Sequence, residues 1–173
     1  MKHLLNFKNI EKQELEKLIN TTLKIETNTN KSEKINSYAL MKFDEGSTRT
    51  RLSFSLAAKK SGIEIVEITD LISAKSKGED LQHEIETYKA LGIEILVIRT
   101  KENNFQDYEN INDLSVISAG FGNSSHPTQA IIDVATLEKF KKFDRDIPVT
   151  YVGDLKHSRV FASGREILGK LGL

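Results

Sequence analysis

The sequence predicts an α/β fold: a parallel sheet flanked by helices on both faces. Two observations carry that expectation. Short apolar runs rich in Ile and Val alternate with longer segments of helical period, the pattern of repeated strand–helix units. The polar motifs also fall at strand-to-helix junctions, and in such sheets ligands bind beyond the carboxyl ends of the strands.

The elements follow in order. Leu15, Leu18, Ile19 and Leu23 form a helical stripe, predicting a helix over 9–25. A polar break over 28–32 precedes a strand over 35–43. A helix over 48–60 is expected to turn Leu52, Phe54, Leu56 and Ala57 inward, with Gly62 just past its end. Ile63, Ile65, Val66 and Ile68 make the next strand, and a polar loop over 70–77 leads to a helix over 78–91. The run Ile93-Glu94-Ile95-Leu96-Val97-Ile98 is the strongest strand signal. A strand over 114–118 and a Gly-rich turn come next, then a helix opening at Pro127, a residue suited to the first helical position. A strand over 148–152 and a helix over 160–170 complete the pattern.

Composition narrows the function classes. At 173 residues the chain can bury one core and begin a second. Lys+Arg and Asp+Glu number 25 each, so no net field favours nucleic acid or an anionic membrane. Anion binding must therefore come from local arrangement. There is no cysteine, which excludes disulfides and thiolate metal sites. Met1-Lys2-His3-Leu4-Leu5 turns polar at once, unlike a signal peptide, and no apolar run nears the roughly 20 residues of a membrane helix. A cytoplasmic protein is the expectation.

Four junctions carry candidate chemistry. Ser47-Thr48-Arg49-Thr50-Arg51 follows a strand and opens a helix, where unpaired N–H groups and the helix dipole favour an anion. Hydroxyls add donors, Arg adds a fork matched to phosphate, and Gly46 is expected to let the backbone approach closely. A Ser N-cap with two solvated arginines would look the same. Arg99-Thr100 ends the buried strand, where the charge either reaches a site or is a solvated strand end. His126-Pro127-Thr128-Gln129 starts another helix, with donors suited to a carbonyl oxygen and an amide. The loop from Ser73 to Glu79, with Lys75 and Lys77, suits a lid over an anion or a plain exposed loop. The stretch from Gly153 to Arg159 lacks the further glycines of a dinucleotide loop, which argues against NAD.

Together these motifs resemble the aspartate/ornithine carbamoyltransferase family. Ser-Thr-Arg-Thr-Arg at 47–51, Lys-Gly-Glu at 77–79, Val-Ile-Arg ending at Arg99 and His-Pro-Thr-Gln at 126–129 match in order and spacing. Val-Gly-Asp-Leu-Lys at 152–156, with Arg159 beyond, looks like the aspartate branch rather than the ornithine one. The resemblance implies that Ser47, Thr48, Arg49 and Thr50 hold the phosphate of carbamoyl phosphate. Thr50, Arg99 and His126 would bond its carbonyl oxygen as the catalytic set, and Gln129 its nitrogen. Ser73 and Lys77 would come from a neighbouring subunit of a homotrimer, and Arg159 would hold a carboxylate of aspartate. No cofactor or metal is implied. A regulatory chain is left open as a partner.

Some residues depart from the family pattern. Asp44 stands where an aromatic or Leu is usual, Gly46 where Pro or Ala is usual, and Phe121 where Asp is frequent; His83 and Glu84 replace a common Asp-Thr pair. Family members also carry a second domain of similar size. The expected division is therefore a carbamoyl-phosphate-binding domain over 1–145 and the start of an incomplete aspartate-binding domain over 146–173, whose lone strand and helix lack partners. That reading makes the chain a fragment of doubtful activity. The alternatives are a non-catalytic binding or assembly module and a carbamoyltransferase for another amine such as ornithine.

Overall fold

The computed structural model describes residues 3–26, 34–68, 80–140 and 148–172. Its elements are α1 (Lys12–Glu26), β1 (Ser37–Phe43), α2 (Thr48–Ser61), β2 (Ile63–Ile68), α3 (Leu81–Ala90), β3 (Ile93–Thr100), a 3-10 turn (Phe105–Tyr108), β4 (Ser115–Phe121), α4 (Pro127–Lys139) and α5 (Arg159–Leu171). The four strands form one parallel sheet in the order β2-β1-β3-β4. The chain moves outward from β1 to β2, then crosses back over β1 to β3. That reversal opens a switch point between the carboxyl ends of β1 and β3.

Strand alternation sends successive side chains to opposite faces. On one face Leu40, Leu96, Ile98 and Val116 pack with Ile85 and Tyr88 of α3 and with the 3-10 turn. On the other, Met41, Val97 and Ala119 pack with Phe54 of α2. β4 carries one extra residue relative to β3, since Ile98 pairs with Ser118 but Arg99 with Gly120. The slip reverses the alternation. Phe121 therefore turns into the core, 0% exposed, against Phe105 and Tyr108, where the family often has Asp.

Several expectations are corrected. Leu52 and Leu56 do not pack inward: they are 57% and 50% exposed, Ala57 is exposed too, and Phe54 and Ala58 face the sheet. Residues two apart lie roughly 200° apart around a helix, so only one of the two apolar stripes can face the sheet. The expected strand over 148–152 is not formed. The helix after it, α5, is not left without partners. Ile167, Leu168 and Leu171 are buried with Phe7, Leu15 and Ile19, beside Ala130 and Val134 of α4. Its stripe needs an apolar surface, and α1 and α4 supply one. Gly62 does end α2, with φ 75° in the left-handed region.

The N-terminus adds a feature that periodicity did not reveal. Leu4 pairs alongside β4, its N–H donating to Val116 O at 2.8 Å and its carbonyl accepting from Ser118 N at 2.9 Å. His3 Nδ1 accepts from Val116 N at 3.1 Å. Two residues are too short to show a period.

Lys42 and Glu84 form an ion pair between β1 and α3, and Tyr88 donates to the same carboxylate. Both charged side chains are largely buried, and burial and Glu84 hold the Tyr88 phenol above its usual pKa, so it stays protonated. Removing one partner of a buried pair strands the other charge. Glu84→Leu is expected to cost about 3–5 kcal/mol in urea unfolding, while adding Lys42→Met should recover most of it. A double variant as unstable as the single one would mean that the two charges are not coupled.

Candidate functional site

The switch point brings the separate motifs together. β1 and β3 run side by side to Phe43 and Arg99, and Asp44 N donates to Arg99 O at 2.8 Å. The chain then turns through Gly46 into α2. A side chain at Gly46 would meet nothing within 4 Å, so no protein neighbour requires glycine there. Ser47 takes the N-cap position in extended geometry, but its hydroxyl caps no N–H. The first helical bond runs from Arg51 N to Ser47 O, which leaves the N–H groups of Thr48, Arg49 and Thr50 without helical partners. The first turn contains no acid. In α5, by contrast, the Ser158 hydroxyl accepts from Phe161 N.

A cleft of about 1080 Å³ opens above this helix end, lined by Ser47, Thr48, Arg49, Thr50, Arg99, His126, Gln129 and Arg159. These are all the expected site residues within the described ranges. Ser73 and Lys77 lie outside them. Arg51, in the same motif, does not line the cleft: it stacks 5.3 Å from the Phe43 ring and lies 3.6 Å from Glu67. Asp44 is not in the lining either, but among the charges that raise the pKa values of Tyr88 and Tyr108 on the opposite face. The acid therefore does not oppose an anion in the cleft.

Arg99 crosses the floor. Its Nη1 donates to Ala119 O at 3.1 Å and reaches Thr50 Oγ1 at 3.5 Å. Glu45 Oε1 lies 2.7 Å from Arg99 Nε but off the N–H axis, so the two pair by charge rather than by a directed bond. The same oxygen accepts from Arg159 Nη2 at 2.6 Å, while Arg159 Nη1 donates to Gly122 O at 3.0 Å. One carboxylate thus bridges two guanidinium groups. Burial and the Arg159 charge lower the pKa of Arg99, and Glu45 opposes them. Gly120 makes room for this arrangement: its φ is 131°, and a Cβ there would stand 3.0 Å from Arg159 Cζ.

His126 is 8% exposed, and its backbone N–H donates to Ser163 Oγ of α5 at 2.8 Å. Burial, then the charges of Arg159 and Arg99, push its pKa from 6.5 down to about 4. The ring is neutral near pH 7. Thr128 Oγ1 lies 3.4 Å from Nδ1, and as donor there it leaves Nε2–H to serve a ligand oxygen. Gln129 Nε2 donates to Asp133 Oδ1 at 2.9 Å.

Glu45, Thr128 and Asp133 were not among the expected site residues. An acid on the same rim as three arginines was the available signal for Glu45. Its partners, Arg99 and Arg159, are far away in sequence, so no local pattern reveals the bridge.

Comparison with known proteins bears on this geometry. The sequence model of the aspartate/ornithine carbamoyltransferase carbamoyl-P binding domain matches residues 2–139. The chain belongs to this family. It is 35% identical to the aspartate carbamoyltransferase catalytic subunits of Ruthia magnifica and of Aquifex aeolicus, over 98% and 99% of its own length. It spans only 55% and 59% of those relatives. The catalytic subunit of M. Jannaschii aspartate transcarbamoylase superposes with a TM-score of 0.81 at 33% identity, over 98% of this chain and 57% of that one. The Trypanosoma cruzi enzyme in complex with carbamoyl phosphate gives a TM-score of 0.83 at 24% identity, over 98% and 54%, a likeness of fold.

Two outcomes are expected from the site. Gly120→Ala should displace the Arg159 guanidinium and destabilise the chain by about 1–3 kcal/mol, read by urea unfolding. His126 stays neutral when folded but takes up a proton when unfolded, so it contributes stability above about pH 6.5 that is lost as pH falls toward 4. The stability lost by the parent over that window should exceed that lost by His126→Gln by up to about 3 kcal/mol. Parallel profiles for the two proteins would contradict the depressed pKa.

Proposed function

We propose that this chain forms the carbamoyl-phosphate half of an aspartate carbamoyltransferase active site. The observation that carries the reading is the convergence, in one cleft, of an uncapped helix N-terminus, a buried arginine and a neutral histidine. An acyl phosphate needs these three parts. The free N–H groups of α2, the hydroxyls of Ser47 and Thr48 and the Arg49 fork take the phosphate. Arg49 has no ion-pair partner among the described residues. Thr50, Arg99 and the Nε2–H of His126 converge on the carbonyl oxygen, and Gln129 takes the carbamoyl nitrogen.

In the reaction, the neutral amine of aspartate attacks the carbamoyl carbon and the carbonyl oxygen gains negative charge. Arg99, His126 and Thr50 stabilise that oxyanion, each such donor being worth about 3–4 kcal/mol. The bond from carbon to the phosphate oxygen then breaks, the departing phosphate takes the proton lost by the amine nitrogen, and the N–C bond remains. Neutral His126 donates to the growing charge without first having to lose or gain a proton. Arg159 would exchange Glu45 for a carboxylate of aspartate.

The same reading has residues 1–145 as the phosphate domain and 146–173 as the start of an aspartate domain. It makes the protein a cytoplasmic homotrimer, with Ser73 and Lys77 reaching a neighbour's cleft. A regulatory chain and a different acceptor such as ornithine are finer questions of the same site.

Calorimetric titration with carbamoyl phosphate, then with N-phosphonacetyl-aspartate, tests the proposal. Carbamoyl phosphate should bind, and Arg49→Ala should weaken it by roughly 10–100-fold with little change in fold. Much tighter binding of the bisubstrate mimic would mark a completed aspartate site, and carbamoyl phosphate alone a binding half-site. An Arg49→Ala variant that binds like the parent would refute the anion site.

A further inference from the structure

Gln129 and Asp133 stand one turn apart on α4, and both line the cleft. The hydrogen bond between them decides the orientation of the glutamine amide. A carboxylate only accepts hydrogen bonds, so the bond from Gln129 Nε2 to Asp133 Oδ1 exists in just one of the two amide orientations. In that orientation the amide nitrogen is engaged. The oxygen, Oε1, has no partner among the described residues, so the free end that Gln129 brings to the cleft is an acceptor.

We propose that Asp133 is a positioning residue that sets the selectivity of the cleft. By holding the Gln129 amide with its oxygen free, it makes the site favour an acyl phosphate bearing N–H beside the carbonyl over one bearing C–H. The inference rests on the acyl-phosphate reading above and adds a determinant to it. The phosphate and the carbonyl oxygen of such a ligand meet only donors, from α2, Arg99 and His126, so they cannot distinguish a carbamoyl group from an acetyl group. The third substituent can. An amino group satisfies Oε1, whereas a methyl of similar size leaves it desolvated and unpaired. If the amide were reversed, its N–H would confront the ligand's N–H and the preference would vanish.

Carbamoyl phosphate and acetyl phosphate share the phosphate and the charge. Their affinity ratio therefore cancels any change in the field of the cleft. Titration calorimetry of the parent, Asp133→Ala, Asp133→Lys and Asp133→Glu with these two ligands and with inorganic phosphate makes the test. The parent should favour carbamoyl phosphate by about tenfold or more. D133A should lower that ratio by about threefold or more, because the amide orientation is freed, while the loss of one negative charge acts on phosphate and both acyl phosphates alike. D133K should abolish the ratio, since an ammonium group only donates and draws Oε1 toward itself. D133E should restore it, which a purely structural role for Asp133 would not require.

Unchanged selectivity in D133A and D133K would overturn the inference and leave the anion site standing. So would a parent that binds phosphate and both acyl phosphates equally well. A parent that binds none of the three ligands would overturn the proposed function, and this inference with it.

Discussion

Phe43 and Arg99 end two strands that lie side by side in the sheet, although a whole strand–helix excursion separates them in sequence. The parallel pairing of β1 with β3 is the constraint on which the site depends. The chain leaves β1 to pack α2 on one face, and it reaches β3 by way of α3 on the other. The two strand ends are thus left open between diverging connections. A helix N-terminus and a buried guanidinium can share that gap because no connection crosses it. β4 extends the same edge, and its slipped residue places Gly120 where Arg159 can lie against the backbone.

The chain as a whole carries no net charge, and the charge of the cleft is set by a few side chains. Glu45 bridges Arg99 and Arg159, and burial together with both guanidinium groups keeps His126 neutral. One shared carboxylate between two cations leaves the region net positive, which suits a dianionic ligand. A single oxygen of Glu45, Oε1, holds both guanidinium groups. α5 reaches the cleft through Ser163, which accepts from the His126 backbone N–H, and through Arg159, which donates to Glu45.

The departures from the family pattern are resolved by direction. Asp44 acts electrostatically on the tyrosines of the α3 face, Phe121 fills the core there, and Glu84 takes Lys42 and Tyr88 as partners. All three belong to the face opposite α2. The substitutions form a second polar and aromatic cluster that ties β1 to α3, and the cleft keeps its donors.

Local pattern determined the strand–helix alternation, the start of α2 at the Ser-Thr-Arg-Thr-Arg motif, the start of α4 at Pro127 and the glycine that ends α2. Each depends on residues within a few positions of one another, where helical and strand periods and capping chemistry operate. The motifs also identified eight of the residues that line the cleft, from Ser47 to Arg159. Only the tertiary structure decided which apolar stripe of α2 faces the sheet, that α5 packs on α1 and α4, and that Arg51 turns away while Glu45 turns in. It also decided that His126 is neutral. Those outcomes depend on distant surfaces and charges brought together by folding, for which a single sequence carries no local period.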